Sequence, residues 1–536
     1  MKDRTVLIGL DGATFSILDP LMRDGVMPFL KEFVASGARA ELLSVIPPLT
    51  PPAWTSLVTG RSPGQHGIFD FFQKEGENHY IRLTTSNDVH CETIWSNISR
   101  HGVRGTSLNF PLMLPPPAID GNVVSGGWMT WRQLRLGCHP DGLYDRLKAL
   151  PGFNPRELAM DSSHEVKAIE GCQHEEYEDW INTHIRREQQ WFNILRHLMS
   201  EDPCELTAIL FDGVDKLQHL CWRFLDPNCL SEQLSPWELK VRNLCLDYFR
   251  QLDKFLAEIA DLAGPDSTIV MSSDHGFGAQ RETFFVNTWL EQNGYLAWAG
   301  NEPTQEGESD TLGMGQLARH VHRLDWEKTF AYASTPSSNG IHIVTADSNN
   351  KNGIQKEDYE RFRSQLMESL YGLVSPTTGK QVVTRSWTRE EAFEGPYMHL
   401  APDLTLSLRD GGMVSILASD MSVKPRREPS GTHRPEGIII SRGPGIRQGI
   451  TLNQISILNV APLLLYSLGL PVPEDMEGRV PTEVFEPPLL KRRPILVSGH
   501  SKSVAPAKEK KSVEVLYDAE AEAAVAARLR DLGYIE

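Results

Sequence analysis

Seven side chains of this 536-residue sequence have the chemistry to gather divalent cations around an anionic group: Asp11, Thr50, Asp215, His219, Asp274, His275 and His433. Asp215 and His219 stand four apart in FDGVDKLQHL, so on a helical turn both project to one side and can share a metal ion. Asp274 and His275 are adjacent in SSDHG and suit one ion or two neighbouring ions, although DHG alone also makes a plain turn. His433 lies in SGTHRPEG, between Gly and Pro; the chain has 17 histidines, and most loop histidines bind nothing. Thr50 opens TPPAWTSLVTG, where Pro51 suits the first helical position and Gly60 the end, so Thr50 is expected to cap a short helix at the end that favours an anion. An ordinary helix cap accounts for that segment equally well, and Pro51 and Pro52 offer no N–H to a ligand.

The elements that must position these residues are apolar runs of strand length. VLIGL (6–10) ends at Asp11, LTAILF (206–211) leads through Asp212 into DKLQH, STIVMSS (267–273) runs into Asp274, and GIIIS (437–441) follows His433. Between them lie helical patterns. The clearest runs from Leu239 to Leu262, with Leu244, Tyr248, Leu252, Phe255, Ile259 and Leu262 at spacings of three and four before Gly264. Alternating strands and helices imply an α/β fold with a mostly parallel central sheet flanked by helices. In such sheets functional groups gather beyond the carboxyl ends of the strands, where these Asp and His residues fall.

Composition narrows the function. Hydrophobic residues make up 40% and charged residues 23%, an ordinary globular balance. A net charge of −17 argues against nucleic acid or anionic lipid as a partner, so an anionic substrate must be held locally. No uninterrupted apolar run reaches the ~18 residues of a membrane span, and the start shows no secretory signal. The seven cysteines form no CxxC pair and read as reduced thiols, which gives a cytoplasmic expectation.

The combination of VLIGLDG, TPPAWTSLVTG, SPGQHGI, DKLQH, SDHG and GTHRPEGIII resembles the alkaline phosphatase superfamily, in its type I phosphodiesterase and nucleotide pyrophosphatase branch, over about residues 4–68, 205–280 and 430–480 and in the closing LRDLGYIE. The resemblance implies two divalent ions, one held by Asp215, His219 and His433 and the other by Asp11, Asp274 and His275 with the Thr50 oxygen. It also implies that Thr50 attacks phosphorus and forms a phosphothreonine. Zinc suits such Asp and His ligands, and manganese or iron accept the same set. Two divalent ions against three carboxylates leave about one net positive charge, which matches a phosphodiester. The expected substrate is therefore a small-molecule phosphate ester, with a phosphomonoesterase or phosphomutase, and a non-catalytic metal-binding scaffold, as alternatives. A sulfatase is disfavoured, because no cysteine stands in a CxPxR context.

Two further expectations concern the surroundings. Residues 1–483 are read as the catalytic domain, with cap insertions at about 69–200 and 281–425, a linker at 484–517, and a C-terminal helix at 518–536 that docks on the main domain. Trp95, Trp128 and Trp131 are candidate pocket walls, with burial in a core as the competing reading. Ala53 supplies no donor to a phosphoryl oxygen; Asn109 is a candidate replacement, with a turn before Pro111 as its other reading.

Overall fold

Strand Thr5–Leu10 is buried along its whole length and alternates faces, with Val6, Ile8 and Leu10 entering one core and Leu7 the other. It pairs in parallel with Leu206–Phe211 on one side and Thr268–Ser272 on the other, in a register that sets Leu10 beside Phe211 and Gly9 beside Ser272. Three apolar strands therefore end at one edge. The structure, a computed structural model, describes residues 4–75, 80–126, 133–158, 173–299, 323–346 and 350–501.

The central sheet runs Ile450–Thr451, Ala38–Leu43, Glu436–Arg442, Thr268–Ser272, Thr5–Leu10, Leu206–Phe211, Gly105–Leu108, Gly121–Val124 and Cys138–His139. Most neighbours are parallel. Glu436–Arg442 is antiparallel to both Ala38–Leu43 and Thr268–Ser272, so its beginning lies at the edge where the parallel strands end. A candidate residue placed before that strand, His433, thus reaches the same edge as candidates placed after the others. Helices Glu176–Glu201, Gly213–Leu225 and Pro236–Ala263 cover one face of the sheet. Thr50–Thr59 and Val460–Ser467 pack on the other.

Within 281–425, an antiparallel sheet of Ala331–Tyr332, Gly340–Ile343, Leu404–Leu408 and Val383–Thr388 is built around its own apolar core. The segment 69–200 does not behave as a cap insertion. Gly105–Leu108, Gly121–Val124 and Cys138–His139 extend the central sheet, and helix Glu176–Glu201 packs in its main core. Short strands and scattered Trp and Pro hid a sheet edge in the sequence. Trp95 accordingly lies fully buried in the core, not on a pocket wall, while Trp128 and Trp131 fall outside the described residues.

The first compact unit continues to Ser501 rather than ending at 483. Helix Pro487–Arg492 and strand Val497–Ser498, paired with Val472–Pro473, occupy the start of the expected linker. Positions 502–517 and the expected helix at 518–536 lie outside the described residues.

Candidate active site

All seven candidate residues meet at the common strand edge. Asp11 follows Leu10 directly and Asp274 stands two residues past Ser272, while helix Gly213–Leu225 carries Asp215 and His219 on one side. The antiparallel pairing of Gly276–Phe284 with Val423–Arg434 sets His433 opposite Phe277, and the rings of His275 and His433 stack with centroids 3.7 Å apart. Gly12, at φ 66°, turns the chain after Asp11, and a Cβ there would meet the Phe277 ring at 2.5 Å.

One group joins Asp215, His219 and His433. His219 Nε2 and His433 Nε2 are 3.0 Å apart, and Asp215 Oδ1 lies 3.4 Å from the first and 3.3 Å from the second. A second group has His275 Nε2 at 3.6 Å from Asp11 Oδ1 and 3.3 Å from Asp274 Oδ2. His275 bridges the two, since its ring nitrogen also falls within one ligand sphere of Asp215 and His433. Thr50 Oγ1 lies 3.5 Å from His275 Nε2. The six Asp and His side chains are buried; Thr50 alone is half-exposed and can meet a substrate.

The donor set fits metal ions on four counts. Nδ1 of His219, His433 and His275 donates to the carbonyls of Gly431, Pro48 and Gly276, which assigns each Nε2 a free lone pair facing inward. The facing His219 and His433 nitrogens are then two acceptors, with no proton to share. Asp11 Oδ1, Asp215 Oδ1 and Asp274 Oδ2 are buried without a hydrogen bond among the described residues. Finally, spacings of 3.0–3.4 Å match the edges of a tetrahedron whose metal–nitrogen distance is about 2.0–2.1 Å.

Electrostatics points the same way. Burial, with Asp274 next, raises the Asp11 carboxyl well above its ordinary range, and burial pushes Asp274 up to about 8. Burial also holds His275 well below 6.5. The protein groups alone thus disfavour the ionised forms of Asp11 and Asp274, at a cost of several kcal/mol per buried ion, while burial at Asp215 is outweighed by the histidines beside it, which hold its carboxyl well below the ordinary range. Divalent zinc bound by protein ligands returns about 10–16 kcal/mol, enough to reverse that preference.

Neighbours that the sequence reading passed over orient the ligands. Trp54, one turn after Thr50, donates its Nε1–H to Asp11 Oδ2 at 3.2 Å, and the Gly12 N–H reaches Asp274 Oδ1 at 3.1 Å. The spacing of Trp54 from Thr50 was the available signal. Lys216 Nζ stands 3.8 Å from Asp215 Oδ2, so a cation does border the cluster. Thr50 is the first helical residue and Leu49 the cap, one residue earlier than expected. Ala53 is fully buried in the apolar core and is not an oxyanion position. Asn109, at φ 64°, spends its amide hydrogens on Leu210 O at 2.9 Å and Asp212 Oδ1 at 3.4 Å.

His66 of SPGQHGI is a structural residue. Its Nδ1 accepts the Ile68 N–H and its Nε2 bonds Ser56 Oγ at 2.8 Å. Asp70, four residues on, clips this loop to the 281–425 segment by accepting the hydroxyls of Thr335 and Ser337, both at 2.5 Å. A cavity of about 510 Å³ opens along that seam, lined among others by Lys74, Tyr359, Arg389 and Asp403, and none of the seven candidates lines it.

Comparison with known proteins places this architecture. The alkaline phosphatase PafA superposes with a TM-score of 0.52 at 13% identity, over 90% of this chain and 99% of that one. Phosphonoacetate hydrolase from Sinorhizobium meliloti 1021 gives 0.49 at 16% identity, over 87% and 95%. Murine ectonucleotide pyrophosphatase/phosphodiesterase 5 gives 0.47 at 14%, over 88% and 96%. The PafA likeness shows an alkaline phosphatase-like fold. No curated protein sequence matches the chain. The family described as type I phosphodiesterase/nucleotide pyrophosphatase matches residues 5–436, and the chain belongs to that family. Its class is that of phosphoryl hydrolases.

Proposed function

We propose that this chain is a two-metal phosphodiesterase that works through Thr50. The observation that carries the reading is the pair of inward-facing His219 and His433 nitrogens, 3.0 Å apart, with both Nδ1 atoms committed to carbonyls. Asp215, His219 and His433 would hold one divalent ion, and Asp11, Asp274 and His275, with Thr50 Oγ1, the other; zinc suits them best. Bound there, the ions supply Lewis acidity, lowering the pKa of the Thr50 hydroxyl and offsetting charge on the phosphoryl oxygens.

The protein's own residues do the rest. Thr50 Oγ1 gives up its proton to solvent and forms a bond to phosphorus as the bond to the leaving alcohol breaks in line. Water then attacks the phosphothreonine, releasing the phosphate monoester and restoring the hydroxyl. Trp54 and the Gly12 amide keep Asp11 and Asp274 oriented throughout. The position of Thr50 at the accessible side of a buried cluster favours catalysis over a purely structural metal site. The six described cysteines are free thiols, which suits a reducing compartment such as the cytoplasm.

The testing experiment is hydrolysis of bis(p-nitrophenyl) phosphate by the metal-loaded chain and by Thr50→Ala. Turnover that depends on both metal and Thr50 supports the proposal; equal turnover by the two proteins overturns it.

A further inference from the structure

Helix Glu176–Glu201 buries a guanidinium and a carboxyl side by side, Arg187 and Glu188, where its other buried positions include Trp180, Trp191 and Phe192. Burying such groups costs more than burying apolar ones, and an apolar residue of similar volume often packs as well or better. Their use is visible in what they touch. Arg187 Nη2 lies 2.9 Å from Asp212 Oδ2. Glu188 Oε1 accepts the Gly213 N–H at 2.7 Å and the Tyr248 hydroxyl at 3.2 Å.

Asp212 and Gly213 form the junction between strand Leu206–Phe211 and helix Gly213–Leu225, on which Asp215 and His219 stand. Asn109 holds the same junction from the opposite side through Leu210 O. Gly213 has no room for a side chain, since a Cβ would sit 2.6 Å from both Glu188 Oε1 and Tyr248 Oη. Glu188 is thus fitted against the backbone at the helix start. Burial, followed by the Asp212 charge, raises its carboxyl above the ordinary range beside the Arg187–Asp212 pair.

We infer that Arg187 and Glu188 are positioning residues for the metal centre, which fix the first turn of the ligand helix so that Asp215 and His219 meet His433. The inference rests on the two-metal reading above. An apolar substitute could fill the space at Glu188 but could not accept the Gly213 N–H. A small rotation of that first turn would carry Asp215 away from the histidines, and losses of this kind typically weaken metal binding by about 10- to 100-fold.

The experiment measures zinc stoichiometry and affinity of the full chain by competition with a chromophoric chelator, together with circular dichroism, for wild type, Glu188→Leu, Glu188→Gln and Tyr248→Phe. Glu188→Leu is expected to keep the wild-type spectrum, to hold one ion normally and to bind the other at least tenfold more weakly. Glu188→Gln, whose amide oxygen still accepts the N–H, is expected to stay within about threefold of wild type. Tyr248→Phe removes only the hydroxyl that steadies Glu188; it is expected to weaken one ion a few-fold, and it carries the test if Glu188→Leu fails to fold. Wild-type affinity for both ions in Glu188→Leu, or in Tyr248→Phe where that variant decides, overturns the inference, as does a Glu188→Gln as impaired as Glu188→Leu. A wild-type chain that takes up no zinc overturns the two-metal reading itself, a separate result.

Discussion

His219 and His433 face each other through Nε2 atoms 3.0 Å apart, while their Nδ1 atoms donate to Gly431 and Pro48. Two acceptors at that distance suit a cation between them, and Asp215 Oδ1 completes the triangle. The purified chain is therefore expected to hold about two divalent ions, which a chelator removes together with activity. Asp274→Ala and His433→Ala should each lose one ion, as read by elemental analysis. Undiminished metal content in both variants would contradict the ligand sets.

Thr50 lies at the exposed side of this cluster, 3.5 Å from His275 Nε2. Thr50→Ala removes one hydroxyl and leaves six ligands, so the fold and most metal binding should persist. The rate should drop by about three orders of magnitude or more. Residual activity above a tenth of wild type, in protein free of contaminating phosphatase, would remove Thr50 from the mechanism.

Lys216 changes the charge balance that the sequence suggested. Two divalent ions and three carboxylates leave one net positive charge, and the Lys216 ammonium, 3.8 Å from Asp215, raises it. Phosphodiesters are expected to exceed phosphomonoesters in kcat/KM, with Lys216 sustaining the residual monoesterase activity. Lys216→Met should lower kcat/KM for p-nitrophenyl phosphate several-fold more than for bis(p-nitrophenyl) phosphate. A wild-type preference for the monoester contradicts the first expectation, and equal losses contradict the second.

His66 predicts a pH effect on stability. Burial, with Arg61 next, lowers its pKa from 6.5 to about 3, so the folded chain keeps it neutral while the unfolded chain takes up a proton near 6.5. The unfolded state therefore binds more protons between these values, and this contribution to stability is present above 6.5 and lost as pH falls below it. Between pH 7 and 5, wild type should lose about 2 kcal/mol more than His66→Gln in urea unfolding. Parallel pH dependences would show that His66 is already charged in the fold.

The clustering of these side chains was legible because most close a strongly patterned element: Asp11 ends VLIGL, Asp274 and His275 follow STIVMSS, and Asp215 and His219 share a helical face. His433 precedes its strand instead, and only the antiparallel direction of Glu436–Arg442 explains how it joins the others. The reading failed where partners are distant in sequence. Strands as short as Gly105–Leu108 and Cys138–His139 carry too little periodicity to announce a sheet edge, so 69–200 read as a cap. The bond of Trp54 to Asp11 is hinted at only by the spacing of Trp54 from Thr50, and the contact of Glu188 with Gly213 arises from tertiary packing that no local pattern records.

The most direct test of the central claim is rapid acid quench of metal-loaded protein turning over bis(p-nitrophenyl) phosphate, followed by peptide mass spectrometry. The account predicts a phosphorylated adduct on the peptide containing Thr50, formed within one turnover and absent from Thr50→Ala. An active enzyme that forms no adduct, or forms one on another residue, would contradict attack by Thr50 on phosphorus.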